Sequence, residues 1–293
     1  MKPSLSTPLR VAAAQSPSAP GDMARNVQTH LAFVRAAVHE RVLVLVFPEL
    51  SLTGYEPNLL AANVLSADHP ALAPLRQSAQ QHGITLVVGA PAAPVVAGAL
   101  PAIGAWVLGA DGSVALYRKR HLHPSEERFA SAGTDDAQVL LLAGEPTALA
   151  VCADITHPEH AMAASNAGAA LYAAGVLISE KAYGAESALL QGYARDHDMA
   201  VLVANYSGPS GGYVSAGRSA FWAPGGHCVA AAPDDSPSPD AGYRSTARAA
   251  GGHGRTRPGP CRARSGAGGP ARPDRAARRQ ASSSASGRAR STC

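Results

Sequence analysis

The sequence predicts a layered α/β domain containing mixed sheets, and three observations carry that prediction. Strand-length apolar runs alternate with segments of helical periodicity through the first 230 residues. Some runs, such as Val42 to Phe47 and Ile84 to Ala90, are apolar throughout, as a central strand buried on both faces must be. Others come in adjacent pairs: Ala102 to Leu108 and Val114 to Tyr117 flank Ala110-Asp-Gly112, which reads as a hairpin turn.

Taken in order, Leu9 to Gln15 reads as a first strand. Asp22 to Glu40 places Val27, Leu31, Val34, Ala37 and Val38 at helical spacing, with Asp22 as N-cap. Ala71 to His82 reads as a second helix, ended by Gly83. Gln138 to Leu142 and Thr147 to Cys152 read as strands. A helix follows from about His157 to Ala167, with Thr156-His-Pro-Glu159 matching the capping-box pattern. Ala169 to Ala173 reads as a strand, Ala185 to His197 as a helix and Ala200 to Asn205 as a strand. Val214 to Ala216 and Ser219 to Trp222 read as a closing pair.

Charge and composition divide the chain at about residue 230. Residues 231–293 hold 12 arginines and 4 aspartates, a net +8, whereas the preceding part has 13 basic and 17 acidic residues. From Ala231 onward there is no Val, Ile, Leu, Met, Phe or Trp, and Tyr243 is the only aromatic residue. Such a segment has little to bury against the entropy of ordering it, so disorder is expected. Without interleaved aromatics for stacking, the tail does not read as a nucleic-acid arm. Its Ala/Arg/Gly/Pro/Ser text is what a GC-rich gene yields in a shifted frame. That reading makes 1–230 the domain, incomplete at its C-terminus, and 231–293 a low-complexity tail of frameshift origin. It also raises the alternative of a non-catalytic or unstable relative with an unpaired sheet edge.

Four widely spaced cysteines form neither a CxxC metal pattern nor a dense disulfide framework. The N-terminus has no signal-peptide core, and no apolar run reaches the roughly 18 residues that span a bilayer. A cytoplasmic protein without membrane or nucleic-acid partners is the expectation.

The residues that carry chemistry stand at the ends of apolar runs. Cys152 ends one run and faces a helix start, Glu49 ends Val44-Leu-Val-Phe-Pro-Glu49, and Lys119 is one of three lysines in the chain. Taken alone, each has an ordinary reading: a small buried thiol, a turn acid, a solvated strand-end charge. Together, a thiol, an acid and an ammonium point to covalent catalysis on an acyl group. A nearby ammonium and a helix N-terminus are expected to lower the thiol pKa from about 8.5. His121 and His123, at i and i+2, lack a Cys or acid at ligand spacing, so no metal is assigned. Gly208-Pro-Ser-Gly-Gly212 lacks the lysine and following helix of a phosphate loop.

Three blocks, Phe47-Pro-Glu-Leu-Ser-Leu-Thr-Gly-Tyr55, Tyr117-Arg-Lys-Arg-His-Leu122 and Val151-Cys-Ala-Asp154 with His157-Pro-Glu159, resemble the signatures of the nitrilase superfamily, the carbon–nitrogen hydrolases. The resemblance implies a four-layer α-β-β-α sandwich and a Glu-Lys-Cys triad at Glu49, Lys119 and Cys152. Glu126-Glu-Arg-Phe-Ala-Ser-Ala-Gly133 resembles the family's stretch with a second active-site glutamate, and counting back from Gly133 favours Glu126 over Glu127. Tyr55 is expected to line the pocket, and Ala153 to offer a backbone N–H to an oxyanion. Asn205 either contacts substrate or caps its turn. The implied reaction is hydrolysis of a small amide or carbamoyl compound through a Cys thioester, with no cofactor. Nitrile hydrolysis by the same triad is the alternative. The resemblance also implies a homodimer.

Overall fold

A computed structural model of the protein describes residues 9–134, 138–237 and 244–246. The first half contains β1 (Leu9–Ala13), α1 (Met23–His39), β2 (Val44–Val46), α2 (Ala73–His82), β3 (Thr85–Ala92), β4 (Ala102–Leu108) and β5 (Val114–Arg118). The second contains β6 (Val139–Leu142), β7 (Glu145–Val151), α3 (Pro158–Asn166), β8 (Leu171–Val176), α4 (Glu180–Asp196) and β9 (Ala200–Asn205). It continues with β10 (Pro209–Ser210), β11 (Tyr213–Val214), β12 (Ala220–Ala223), β13 (His227–Ala231) and β14 (Arg244–Thr246).

Two six-stranded sheets form, in the orders β14-β1-β2-β3-β4-β5 and β13-β12-β9-β8-β7-β6. Each has three parallel strands at its centre, β1-β2-β3 and β7-β8-β9, with antiparallel strands on either side. Side-chain alternation along the strands sets the layers. Val11, Val44, Val46, Val87, Ile103 and Val107 of the first sheet pack against Leu149, Val151, Leu171 and Leu202 of the second. The opposite face of the first sheet, including Leu45, Leu86 and Val88, packs on α1 and α2 through Val27, Val34, Leu75 and Ala79. The outer face of the second, including Tyr172, Val201 and Val203, packs on α3 and α4 through Ala161, Ala164, Leu190 and Ala194. The result is the four-layer α-β-β-α sandwich. Each large aliphatic side chain buried between layers contributes about 2 kcal/mol.

Two expectations are corrected by the structure. Val214 to Ala216 does not pair with Ser219 to Trp222; Tyr213–Val214 pairs with Pro209–Ser210 instead. Strand β12 pairs with β9 on one side and with β13 on the other. The body therefore does not stop at Ala230. Gln15 Nε2 donates to the carbonyls of Asp234 and Ser236 (2.7 and 2.8 Å), and Ser207 Oγ donates to the Asp235 carbonyl (2.7 Å). These contacts use backbone oxygens, which composition does not register, so residues 231–237 belong to the body. Strand β14 pairs antiparallel with β1, and β13 with β12, each as the outermost strand of its sheet. The rest of the 231–293 expectation lies outside the described residues.

Two close backbone approaches seat the segment that carries Glu49. A Cβ on Gly89 of β3 would overlap the backbone of Pro48 and Leu50. One on Gly175 of β8 would lie 2.5 Å from the Phe47 carbonyl oxygen and 3.2 Å from the Glu49 nitrogen. Buried His30 holds the same segment from the helix side. Its ring stacks on Phe47 at 4.0 Å, and its Nε2 is 2.9 Å from Ser51 Oγ, which accepts from the Gly89 N–H. Gly175→Ala should destabilise the domain by about 1–3 kcal/mol through overpacking. A lower urea midpoint at unchanged slope would show this; an unshifted midpoint would refute the seating argument.

Candidate active site

Glu49 follows β2 on a tight turn in which Leu50 has φ 49° and the Leu52 N–H reaches the Gly89 carbonyl at 2.9 Å. Lys119 follows β5, its N–H on the Ile103 carbonyl (2.8 Å) and its carbonyl on the Gly133 N–H (2.7 Å). Glu126 opens a single 3₁₀ turn, Glu126–Arg128, entered through Ser125 at φ 83°. Their side chains converge inside the protein. Lys119 Nζ lies 2.8 Å from Glu49 Oε1 and 2.9 Å from Glu126 Oε1, and none of the three residues is more than 1% exposed. Glu126 also accepts from the Tyr55 hydroxyl (2.6 Å) and from the His123 N–H (2.7 Å). Of the two adjacent glutamates, Glu126 is the one turned inward; Glu127 is exposed.

Two carboxylates around one ammonium leave an unbalanced negative charge, and the ionisation of the group follows from it. Burial opposes the charge of Lys119, but Glu49, Cys152 and Glu126 outweigh it and hold the ammonium more firmly than in an ordinary lysine. Burial pushes Glu49 up to about 7, Lys119 pulling it down and Glu126 adding to the rise. Its second oxygen, Oε2, is buried with no hydrogen-bond partner among the described residues. The Cys152 thiol is close enough to influence the ionisation of Glu49.

Cys152 is a free cysteine at the end of β7, half-buried, with φ 43°. That left-handed backbone is unusual for a residue with a Cβ and is held here by the strand before it and the 3₁₀ turn Cys152–Thr156 after it. Its Sγ lies 3.9 Å from the Leu177 carbonyl. The expected fall in its pKa is corrected: burial and then Glu49 raise it well above the ordinary thiol value, and Lys119 offsets this only in part. The expected Thr156 cap is corrected as well. Pro158 occupies the first turn of α3 and fixes His157 in extended backbone before it. Thr156 Oγ1 turns back to the Ala153 carbonyl at 2.8 Å. No capped α-helix starts directly after the thiol.

One pocket gathers Glu49, Tyr55, Glu126, Cys152 and Ala153, and its outer wall adds residues without a sequence signal, among them Leu177, Ser179, Glu186 and Tyr213. Asn205 does not line it. Its side chain accepts from the Ile178 N–H (2.8 Å) and donates to the carbonyls of Ile178 (3.1 Å) and Gly217 (2.8 Å), pinning the loops after β8 and β11. Of its two expected roles, this geometry matches the turn clamp. His121 and His157 stack at 3.9 Å, and their ligand atoms lie within 4.8 Å of Glu159. The rings are nearly parallel, so their in-plane lone pairs run side by side.

The carbon–nitrogen hydrolase family pattern matches residues 10–238. The chain belongs to the carbon–nitrogen hydrolases. It is 30% identical over 240 residues to a protein of Pseudomonas protegens described as "Hydrolase in pqqF 5'region", covering 76% of this chain and 79% of that one. It is 34% identical over 158 residues to the glutamine-dependent NAD(+) synthetase of Xylella fastidiosa, covering 52% of this chain but 28% of the synthetase. Among solved structures, a point mutant of the amidase from Nesterenkonia sp. AN1, a nitrilase-superfamily protein, superposes with TM-score 0.72 at 28% identity. The superposition covers 79% of this chain and 88% of the amidase, whose active-site cysteine carries the acetamide moiety of fluoroacetamide. Another form of that amidase holds butyramide.

In this carbon–nitrogen hydrolase, the two sheets are tied together at the site by Asp154, a fully buried residue to which the sequence reading gave no role. Its carboxylate accepts from the Tyr117 hydroxyl (2.7 Å) and the N–H groups of Val151 (3.0 Å), Arg120 (3.1 Å) and His121 (2.8 Å). Tyr117 continues to His160 (2.9 Å), and His160 to the Tyr172 hydroxyl (2.8 Å). Asp154 thereby links the turn after Cys152 to the loop after Lys119. Burial alone would raise its pKa; hydrogen bonding by His121, the charge of His160 and the other donors bring it below the usual aspartate value. A depressed folded-state carboxyl gives its full stabilisation above the unfolded value of about 3.9 and loses it as pH falls through the lower folded value. Asp154→Asn should therefore destabilise the protein by about 2 kcal/mol or more at neutral pH. The gap to the parent should narrow below about pH 4. Chemical denaturation across pH would measure this, and a gap that widens on acidification would overturn it.

Proposed function

We propose that this protein hydrolyses the C–N bond of a small non-peptide amide or carbamoyl compound through a thioester on Cys152, releasing ammonia or an amine. The observation carrying the reading is that Glu49, Lys119 and Glu126 meet within hydrogen-bond distance beside the pocket that holds the Cys152 thiol. The resting pair is a neutral thiol next to a carboxylate that titrates at about 7. As the sulfur attacks the carbonyl carbon, Glu49 takes the thiol proton. The Lys119 ammonium and the Ala153 N–H serve the developing oxyanion, each donor worth about 3 kcal/mol. Glu49 gives its proton to the leaving nitrogen, the C–N bond breaks, and the thioester remains. Glu49 then removes a proton from water, which adds to the thioester carbonyl, and the collapsing intermediate expels the sulfur, which regains the proton. Glu126 holds Lys119 and Tyr55 in place throughout.

A cavity of about 100 Å³ limits the enclosed part of the substrate. Since an apolar cavity of about 150 Å³ holds benzene, an acyl group of roughly five heavy atoms fits. The acetamide moiety and butyramide held by mutants of the Nesterenkonia amidase are of this size, and that this neighbour is an amidase favours amides over nitriles for the present chain.

Ammonia release from a panel of short amides, carbamoyl compounds and nitriles tests the reading. Cys152→Ala should abolish turnover, and intact mass should show an acyl adduct on the parent that the variant lacks. A Cys152→Ala protein as active as the parent would refute the mechanism. Because Glu49 must be ionised to accept the thiol proton, and burial has raised its pKa to about 7, kcat/KM should fall as pH drops through that value. A profile flat from pH 8 to pH 5 would exclude Glu49 as the base.

A further inference from the structure

Beyond the reacting groups, the pocket wall carries one carboxylate that the mechanism does not use. Glu186 lies on the inner side of α4, half-buried, facing the cavity that Cys152 also lines. No hydrogen bond or ion pair joins its carboxylate to any described residue. Burial raises its pKa above the ordinary carboxylate range, with only His123, an exposed residue at the mouth, acting against the rise. The lining holds Glu49, Glu126 and Glu186 with His123 but no lysine or arginine, and Lys119 lies behind it, paired with two carboxylates. The aromatic ring of Tyr213, packed edge-on to Tyr55 at 5.9 Å, completes the outer wall.

A half-buried carboxylate without a partner, in a pocket of negative charge with an aromatic wall, is complementary to a cation. In a primary amide the nitrogen leaves as ammonia, so only the acyl chain can extend to the mouth. Resting on the amide-hydrolase reading above, we propose that the pocket selects short amides whose acyl chain ends in a primary ammonium group, with Glu186 as the carboxylate that receives it. Anionic amides are disfavoured by the same three carboxylates.

The test compares three amides of matched length: 4-aminobutanamide, neutral pentanamide and anionic succinamate. The parent should prefer the cation over the neutral amide by about tenfold in kcat/KM, as a charge-assisted hydrogen bond provides. That ratio should fall toward one in Glu186→Gln, and Glu186→Lys should shift preference toward succinamate. A parent that treats cation and neutral amide alike, or a Glu186→Gln protein that keeps the preference, overturns the assignment. Binding of the same amides to Cys152→Ala by calorimetry separates this from the catalytic reading. Cation-selective binding that Glu186→Gln removes, with no turnover by the parent, would support the Glu186 site and refute hydrolysis. Equal binding of cation and neutral amide would refute the site whatever the turnover.

Discussion

A single ammonium, Lys119 Nζ, sealed from solvent between Glu49 and Glu126, is the constraint on which the site depends. Removing either carboxylate would leave the remaining pair with a different charge and different donors. A buried cation needs its partners to offset the loss of hydration, so three chain segments must arrive together or not at all. Those segments are the turn after β2, the loop after β5 and the 3₁₀ turn at Glu126, all gathered at one end of the first sheet. Cys152 comes from the end of β7 in the second sheet. Asp154 joins the two by accepting from the Arg120 and His121 N–H groups on one side and the Val151 N–H on the other. Gly89 and Gly175, one from each sheet, let the Glu49 backbone pass between them. The fold positions the site through these backbone approaches as much as through side chains.

The layered architecture was legible because strand alternation and helix spacing leave different apolar periods, and most strands matched to within two or three residues. Three misreadings share a cause: local pattern was overruled by backbone hydrogen bonding. Pro158 moved the start of α3 beyond Thr156, since a proline suits the first helical position and extends the residue before it. Strand β13, His227–Ala231, has a weak β composition and is held by its partner β12. Residues 231–237 are tied down through their carbonyls by Gln15, Ser207 and Arg218, none near them in sequence.

Within the site, residues standing at ends of apolar runs were recognisable: Glu49, Lys119 and Cys152 each interrupt a pattern that would otherwise continue. Glu126 needed the resemblance to single it out from Glu127, and the structure places Glu126 inward. Asp154 carries a weaker signal, an acid two residues after the thiol, and its meaning lies in donors more than thirty residues upstream. Glu186 has no signal at all. In Glu180-Lys-Ala-Tyr-Gly-Ala-Glu186 it reads as one more solvated acid on a polar helix face, because sequence cannot say which turn of α4 crosses the pocket.

The electrostatics also explain why the thiol rests protonated. With Glu49 and Glu126 sharing one ammonium, the site already holds excess negative charge, and a thiolate would add to it in a poorly solvated place. Lys119, paired with two carboxylates, offsets a thiolate only in part. In the proposed reaction, a carbonyl entering the pocket changes the balance: the electron pair of the sulfur passes into a new bond, and the charge moves to an oxygen that faces donors. Proton transfer to Glu49 is then coupled to bond formation, without a free thiolate accumulating first. A carboxylate whose pKa lies near neutrality, about 7, suits that exchange, since it accepts the proton on attack and can return it to the leaving nitrogen. Burial, which would be a liability for an isolated acid, here sets the affinity for the one proton the proposed reaction moves.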